Sequence, residues 1–285
     1  SASLVGSEMC IRDRNCYHDL AWLANEDHQY KAVEKYLNEA ILEAKEKGVD
    51  EKGIPMSSIF NMLGKHYLSK SDYKNAIENF NKSLEGFTDN RAELYVKRSY
   101  DDIGNAHFLK GDFDVALQYF SRAKHHLSIL VQSLTPEAYA YEEMITTSYF
   151  GVVYVEMRAY KQGVNHLKTA LHFWHQLPKD ENSWRSRVEI STNLAKAYRE
   201  MTLYDSSERC LNNLLELSEI DAKAFGEICQ QKGEVYFATG DYDNALKYYK
   251  EAQQSRLAYY GESHVRVLAT YTAVSYTHLR AHETS

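Results

Sequence analysis

Residues 111–123 read GDFDVALQYFSRA, and residues 240–252 read GDYDNALKYYKEA. Seven of the thirteen positions are identical, and the third keeps an aromatic ring as Phe113 or Tyr242. The two stretches begin 129 residues apart, three intervals of 43. A recurring interval of 20 to 50 residues marks a repeat array, in which one supersecondary unit is copied and stacked.

The flanking sequence carries the same grammar at each interval. Leu63-Gly64 is followed by Tyr67, then Tyr73, Ala76 and Phe80. Ile103-Gly104 is followed by His107, then Phe113, Ala116, Phe120 and Ala123. Phe150-Gly151, Leu194-Ala195 and Lys232-Gly233 open further copies, and Leu20-Ala21 opens an earlier, weaker one. A small residue follows a large one, and an aromatic residue comes three later. After a turn come an aromatic, a small, a large and a small residue at i, i+3, i+7 and i+10. Those offsets are helical, so each copy is a helix A, a short turn and a helix B. The small residues on the two helices let their axes approach. Gly111-Asp112 and Gly240-Asp241 place a glycine at the end of helix A and an aspartate able to cap helix B.

This grammar resembles the tetratricopeptide repeat family over about Tyr17 to Ala252, most closely in FNMLGKHYLSKSDYKNAIENFNKSL at 60–84 and in the copies at 100–123 and 229–252. The small residues on successive A helices are 43, 40, 47, 44 and 38 apart. That spacing is longer than the family's simplest form and similar to its long-repeat members: kinesin light chains, spindle-orientation adaptors and peptide-sensing bacterial regulators. The resemblance implies an all-α, right-handed α-solenoid of about six repeats, with a truncated seventh beginning near Val265. Its A helices would line a concave face.

Composition agrees with long helices, since only Pro55, Pro136 and Pro178 interrupt 285 residues. A net charge of −7 with both signs interspersed gives no reason to expect nucleic acid or an anionic membrane as partner. No apolar run approaches the length of a membrane span. The four cysteines, Cys10, Cys16, Cys210 and Cys229, form no C-x-x-C pair and no disulfide framework, which favours a reducing, cytoplasmic setting. The first fourteen residues, SASLVGSEMCIRDR, and the last twelve, VSYTHLRAHETS, do not continue the helical pattern beside them and resemble translated read-through of sequencing adapters. Residues 1–14 and 274–285 are therefore expected to be foreign or disordered tails around a solenoid at 15–273. The truncated end should fray or self-associate through its apolar face.

No catalytic constellation emerges: there is no phosphate loop, no G-x-S-x-G, no H-E-x-x-H and no zinc-type Cys/His spacing. His172 and His175 stand one helical turn apart, and Asp180 or Glu181 could complete a metal site. Two histidines beside Phe173 and Trp174 on an amphipathic helix are the plainer reading. Cys229 falls at a packing position. No enzyme activity, metal or cofactor is implied, and binding is the expected function.

The binding surface should consist of the helix-A residues that packing does not consume. These include Asn61 and Lys65; Arg98, Asn105 and Phe108; and Asn193, Lys196 and Arg199. Amides and cations in such a groove can bond the backbone or the acidic side chains of a peptide. Asn61, Lys65, Asp101 and Asn105 occupy the positions at which chaperone-binding members of the family clamp a C-terminal carboxylate. Asp101 stands where that clamp would want a lysine, so chaperone-tail binding is not expected.

Overall fold

The structure is a computed structural model that describes residues 30–46, 54–87, 92–216, 221–261 and 265–283. The Leu20-Ala21 motif, Cys10 and Cys16 lie outside the described residues. Twelve helices and no strands occur among them. They are α1 (Tyr30–Glu46), α2 (Ile54–Ser69), α3 (Tyr73–Glu85), α4 (Glu93–Lys110), α5 (Phe113–Leu130), α6 (Pro136–Glu156), α7 (Tyr160–Trp174), α8 (Glu181–Glu200), α9 (Tyr204–Leu215), α10 (Ala222–Thr239), α11 (Tyr242–Tyr260) and α12 (Val265–Glu283). The chain divides into two compact units, Ser1–Leu134 and Thr135–Ser285. The first holds the hairpins α2–α3 and α4–α5; the second holds α6–α7, α8–α9 and α10–α11. The fold is an all-α helical repeat.

Each hairpin closes by the same contact. The small residue on helix A faces the large residue sixteen positions later on helix B. A methyl group on Gly104 would stand 2.6 Å from the Phe120 ring, and one on Gly233 would stand 2.5 Å from Tyr249. Gly64 likewise meets Phe80, and Gly151 meets Leu167. The sequence expectation of small against small is therefore only part of the packing: the notch on helix A takes a ring or a leucine. The small residues of helix B fit beside it, and at Ser207 the hydroxyl donates to the Ala195 carbonyl at 2.7 Å. Phe80, Phe120, Leu167 and Leu211 are all fully buried.

The turns repeat as closely. Seven residues after the small position, each turn enters the left-handed region: Ser71 (φ 60°), Gly111 (φ 95°), Arg158 (φ 61°), Thr202 (φ 60°) and Gly240 (φ 80°). The next amide then reaches back to the carbonyl of the recurring ring position, as Asp72 N to Tyr67 O at 2.9 Å, Ala159 N to Tyr154 O at 2.8 Å and Asp241 N to Tyr236 O at 2.9 Å. These bonds satisfy the last carbonyls of helix A. Glycine is absent from three of the five turns, so the sequence places a turn in every copy but marks the left-handed residue in only two.

Other helix starts use side chains. Asp180 accepts from Ser183 N at 2.8 Å and Asp221 from Ala224 N at 2.7 Å. Thr135 accepts from Ala138 N at 3.2 Å ahead of Pro136. Helix α12 runs past residue 273, where the sequence reading ends the solenoid. Nothing from 265 to 283 breaks a helix, and Val267, Thr270 and Thr277 lie buried along it.

Candidate functional site

The residues expected to line the groove fall into both compact units. In the first, Asn61 and Lys65 lie one turn apart on α2, and both reach Asp102 on α4. The Asn61 amide donates to Asp102 Oδ2 at 2.7 Å, and Lys65 Nζ lies 3.6 Å from the same oxygen. Asn105 is half-buried on α4 and Arg98 is exposed there. Phe108 is half-buried, with its ring centroid 5.9 Å from that of Phe113 across the turn. Asp101 is not part of this surface. It is buried and pairs with Lys97 at 2.7 Å. One residue is about 100° of helix, and that rotation delivers Asp102 to α2 in its place.

The second unit repeats the theme with more charge. Lys196 on α8 meets Glu156 at the end of α6 at 2.6 Å. Arg199, a turn further along α8, donates to Gln231 Oε1 at 3.0 Å and to Glu200 at 2.9 Å, and it pairs with Glu234 on α10. Gln230 donates to Glu234 at 3.1 Å. Burial alone would pull the Arg199 guanidinium down, but Glu234 and Glu200 outweigh it and raise its pKa. The hydrogen bond from Arg199 holds Glu200 below its ordinary value. Asn193 is spent within its own helix, donating to Glu189 O at 2.9 Å.

Lys65 and Lys196 occupy the same register, one residue after the small position, and each pairs with a carboxylate on a neighbouring helix A. Their alkyl stems lie outside the core, and their ammonium groups are held but accessible, at 58% and 31% side-chain exposure. Such pairs can exchange an internal carboxylate for one on a ligand. The sequence reading did not foresee these pairings, and it missed Asp102 altogether. The available signal was opposite charge at facing helix-A positions in successive copies.

Two further regions bear on function. A cleft of about 580 Å³ opens in the first unit among α1, α2 and α3, lined by Asn38, Ile41, Phe60, Leu63, Tyr67, Asn75 and Asn79 among others. It shares no residue with the groove set. The cysteines of the second unit are poorly suited to nucleophilic chemistry: burial, aided by Glu251, pushes the Cys229 thiol up to about 12, and burial also raises Cys210. Among the described residues no cluster of three His, Cys, Asp or Glu is placed to hold a metal ion, and no helix is long and apolar enough to cross a membrane.

The tetratricopeptide repeat family model matches residues 55–124 and 228–285. No curated protein sequence matches the chain significantly. Among solved structures, Rap protein complexed with competence and sporulation factor is similar over 98% of this chain and 73% of its own, at 15% identity and a TM-score of 0.65. Cut9–Hcn1 of the APC/C is similar over 95% of this chain at 17% identity and a TM-score of 0.58; this chain spans only 48% of that one. A putative kinesin light chain of Podosopora anserina, with nearly identical TPR-like repeats, is similar over 72% of this chain and 94% of its own, at 15% identity and a TM-score of 0.54. At such identities the likeness is one of fold. The chain carries tetratricopeptide repeats, matched directly at residues 55–124 and 228–285 and continued between them by hairpins built on the same register.

Proposed function

We propose that this protein is a cytoplasmic, non-catalytic interaction scaffold whose helix-A surfaces bind a peptide or helical segment of a partner protein. The observation that carries this reading is the shared register of Lys65 and Lys196. In both units it leaves a cation outside the core, held only by a carboxylate that a ligand can replace. Asn61 and Asn105 would bond the ligand backbone, Phe108 would take an apolar side chain, and Arg199 would grip a carboxylate through two bonds. Nucleic acid and membrane surfaces are not the expected partners of a chain with net charge −7.

A second reading is favoured by the likeness to Rap protein complexed with competence and sporulation factor. There the same repeats would sense a short peptide and relay it to an effector region beyond this sequence.

Selection of random dodecamer peptides displayed on phage, using the full chain as bait, tests both readings. Enriched peptides should lose binding to Lys65→Glu and Lys196→Glu chains while those chains keep the wild-type circular dichroism. Peptides that bind both variants as tightly as wild type would place the binding surface elsewhere. Compaction in small-angle scattering on peptide binding would select the sensor over the scaffold.

A further inference from the structure

The junction between α7 and α8, at residues 174–187, gathers positive charge around two tryptophan rings, Trp174 and Trp184. Lys179 Nζ sits 3.6 Å from the centroid of the Trp174 ring, and the Arg187 guanidinium carbon sits 4.7 Å from it. Arg187 also lies 5.3 Å from the Trp184 ring. The His175 ring is 5.1 Å from Trp174. Neither Lys179 nor Arg187 has a carboxylate partner among the described residues; Lys179 donates only to the Trp174 carbonyl, at 2.9 Å. The indole N–H of Trp184 is buried and has no acceptor among the described residues. Asp180, the carboxylate adjacent to Lys179 in sequence, is engaged by the Ser183 amide at 2.8 Å.

The C-terminus of α7 accounts for Lys179, because cations are stabilised at a helix C-terminus. It does not account for Arg187, which lies in the second turn of α8, beyond the reach of either helix end, and is held there against the Trp174 and Trp184 rings. Burial draws the Arg187 guanidinium below its ordinary pKa, and burial together with Lys179, Arg187 and His172 lowers His175. A metal between His172 and His175 would add positive charge to this cluster. An anion would relieve it.

We propose that this junction is an oxyanion site, in which Lys179, Arg187 and the Trp184 N–H take a phosphoryl or carboxylate group carried by a partner protein. The site lies at an inter-repeat turn and is independent of the helix-A groove.

Three probes separate the sources: inorganic phosphate, an acetylated phosphoserine peptide and an acetylated tetraglutamate peptide. Each is titrated into the full chain with sodium chloride holding ionic strength constant, while tryptophan fluorescence and the thermal midpoint are followed. A saturable response to at least one probe is expected, with a rise in midpoint by mass action. Lys179→Gln/Arg187→Gln should weaken that response about tenfold or more, whereas Arg122→Gln, a cation stacked on Tyr119 in the other unit, should leave it intact. Arg187→Lys keeps the charge and should bind between the two. The strongest probe names the oxyanion. No saturable response to any probe, or one that survives the double substitution in a folded chain, overturns the proposal.

Discussion

The hairpins α4–α5 and α10–α11 share the sequence repeat best, and they show where identical residues cease to do identical things. Their frames coincide. Gly104 seats Phe120 as Gly233 seats Tyr249. The His107 ring stacks on Tyr119 at 5.4 Å, and Tyr236 stacks on Tyr248 at 5.4 Å. Phe108 meets Phe113 as Phe237 meets Tyr242. They part at two points. Before the glycine, one hairpin buries Ile103 and the other buries Lys232, whose amine donates to Asn212 Oδ1 at 2.5 Å and lies 4.4 Å from the Tyr248 ring centroid. After the turn, Asp241 caps its helix, accepting from Asn244 N at 3.1 Å, while Asp112 makes no such bond. The backbone of a repeat is thus set by its small and large residues, and its polar contacts by the neighbours of each copy.

The shared frame should break equally in both. Gly104→Val and Gly233→Val each drive a side chain into a ring that has no room to withdraw. Each should cost about 2–3 kcal/mol, read as a fall in the urea midpoint by circular dichroism. A large difference between them would mean that the two notches are not equivalent.

Lys232 sharpens the first divergence. Removing a buried cation while keeping its volume is often neutral or stabilising. Lys232→Met should therefore stay within about 1 kcal/mol of wild type or exceed it, whereas Lys232→Ala should lose about 2 kcal/mol or more by leaving a cavity beside Tyr248. If Met were as damaging as Ala, the amine itself, through Asn212, would be holding the hairpin.

These features differ in how far the sequence exposes them. The register was legible because helical packing leaves a periodic trace: Gly64, Phe80, Ile103, Leu211 and Ala252 could all be placed from spacing alone. The groove was legible only as a face. Spacing says that Lys196 and Arg199 project from one side of α8, but not that Glu156 and Glu234 stand opposite, because that depends on how one helix is rotated against the next. The same rotation hid Asp102 behind Asp101. In the three turns without glycine the left-handed residue was invisible, because Ser71, Arg158 and Thr202 carry no mark of positive φ. At these positions the hairpin on either side imposes the conformation that glycine would have adopted freely.

That imposition should be measurable. Thr202 is β-branched and held at φ 60°, so Thr202→Gly should stabilise the chain by about 1 kcal/mol, the strain relieved exceeding the entropy added to the unfolded state. Gly240→Ala should lose about the same amount at the equivalent place. A destabilising Thr202→Gly would show that this turn has relaxed in a way its backbone angles do not reveal.

The smallest effect belongs to the second divergence, at the caps. In the α10–α11 turn, Asn244 donates both its backbone amide and its side-chain amide to Asp241, the latter at 2.7 Å; Asn75 does the same to Asp72 with its side chain at 2.7 Å. The third residue of α5 is Val115, which has no side-chain donor. Asp112 turns instead to Lys110 at 2.6 Å and His107 at 3.1 Å, and the hydrogen bond from Lys110, then that from His107, holds its carboxyl below the usual range. Asp241→Ala should accordingly cost about 1 kcal/mol, and Asp112→Ala measurably less. Val115→Asn supplies the missing donor and should draw Asp112 onto the helix start, so that Asp112→Ala becomes more costly in the Val115→Asn background than in wild type. A double-mutant cycle reads this directly, and a coupling of zero would show that Lys110 and His107 hold Asp112 too firmly for one asparagine to recover it.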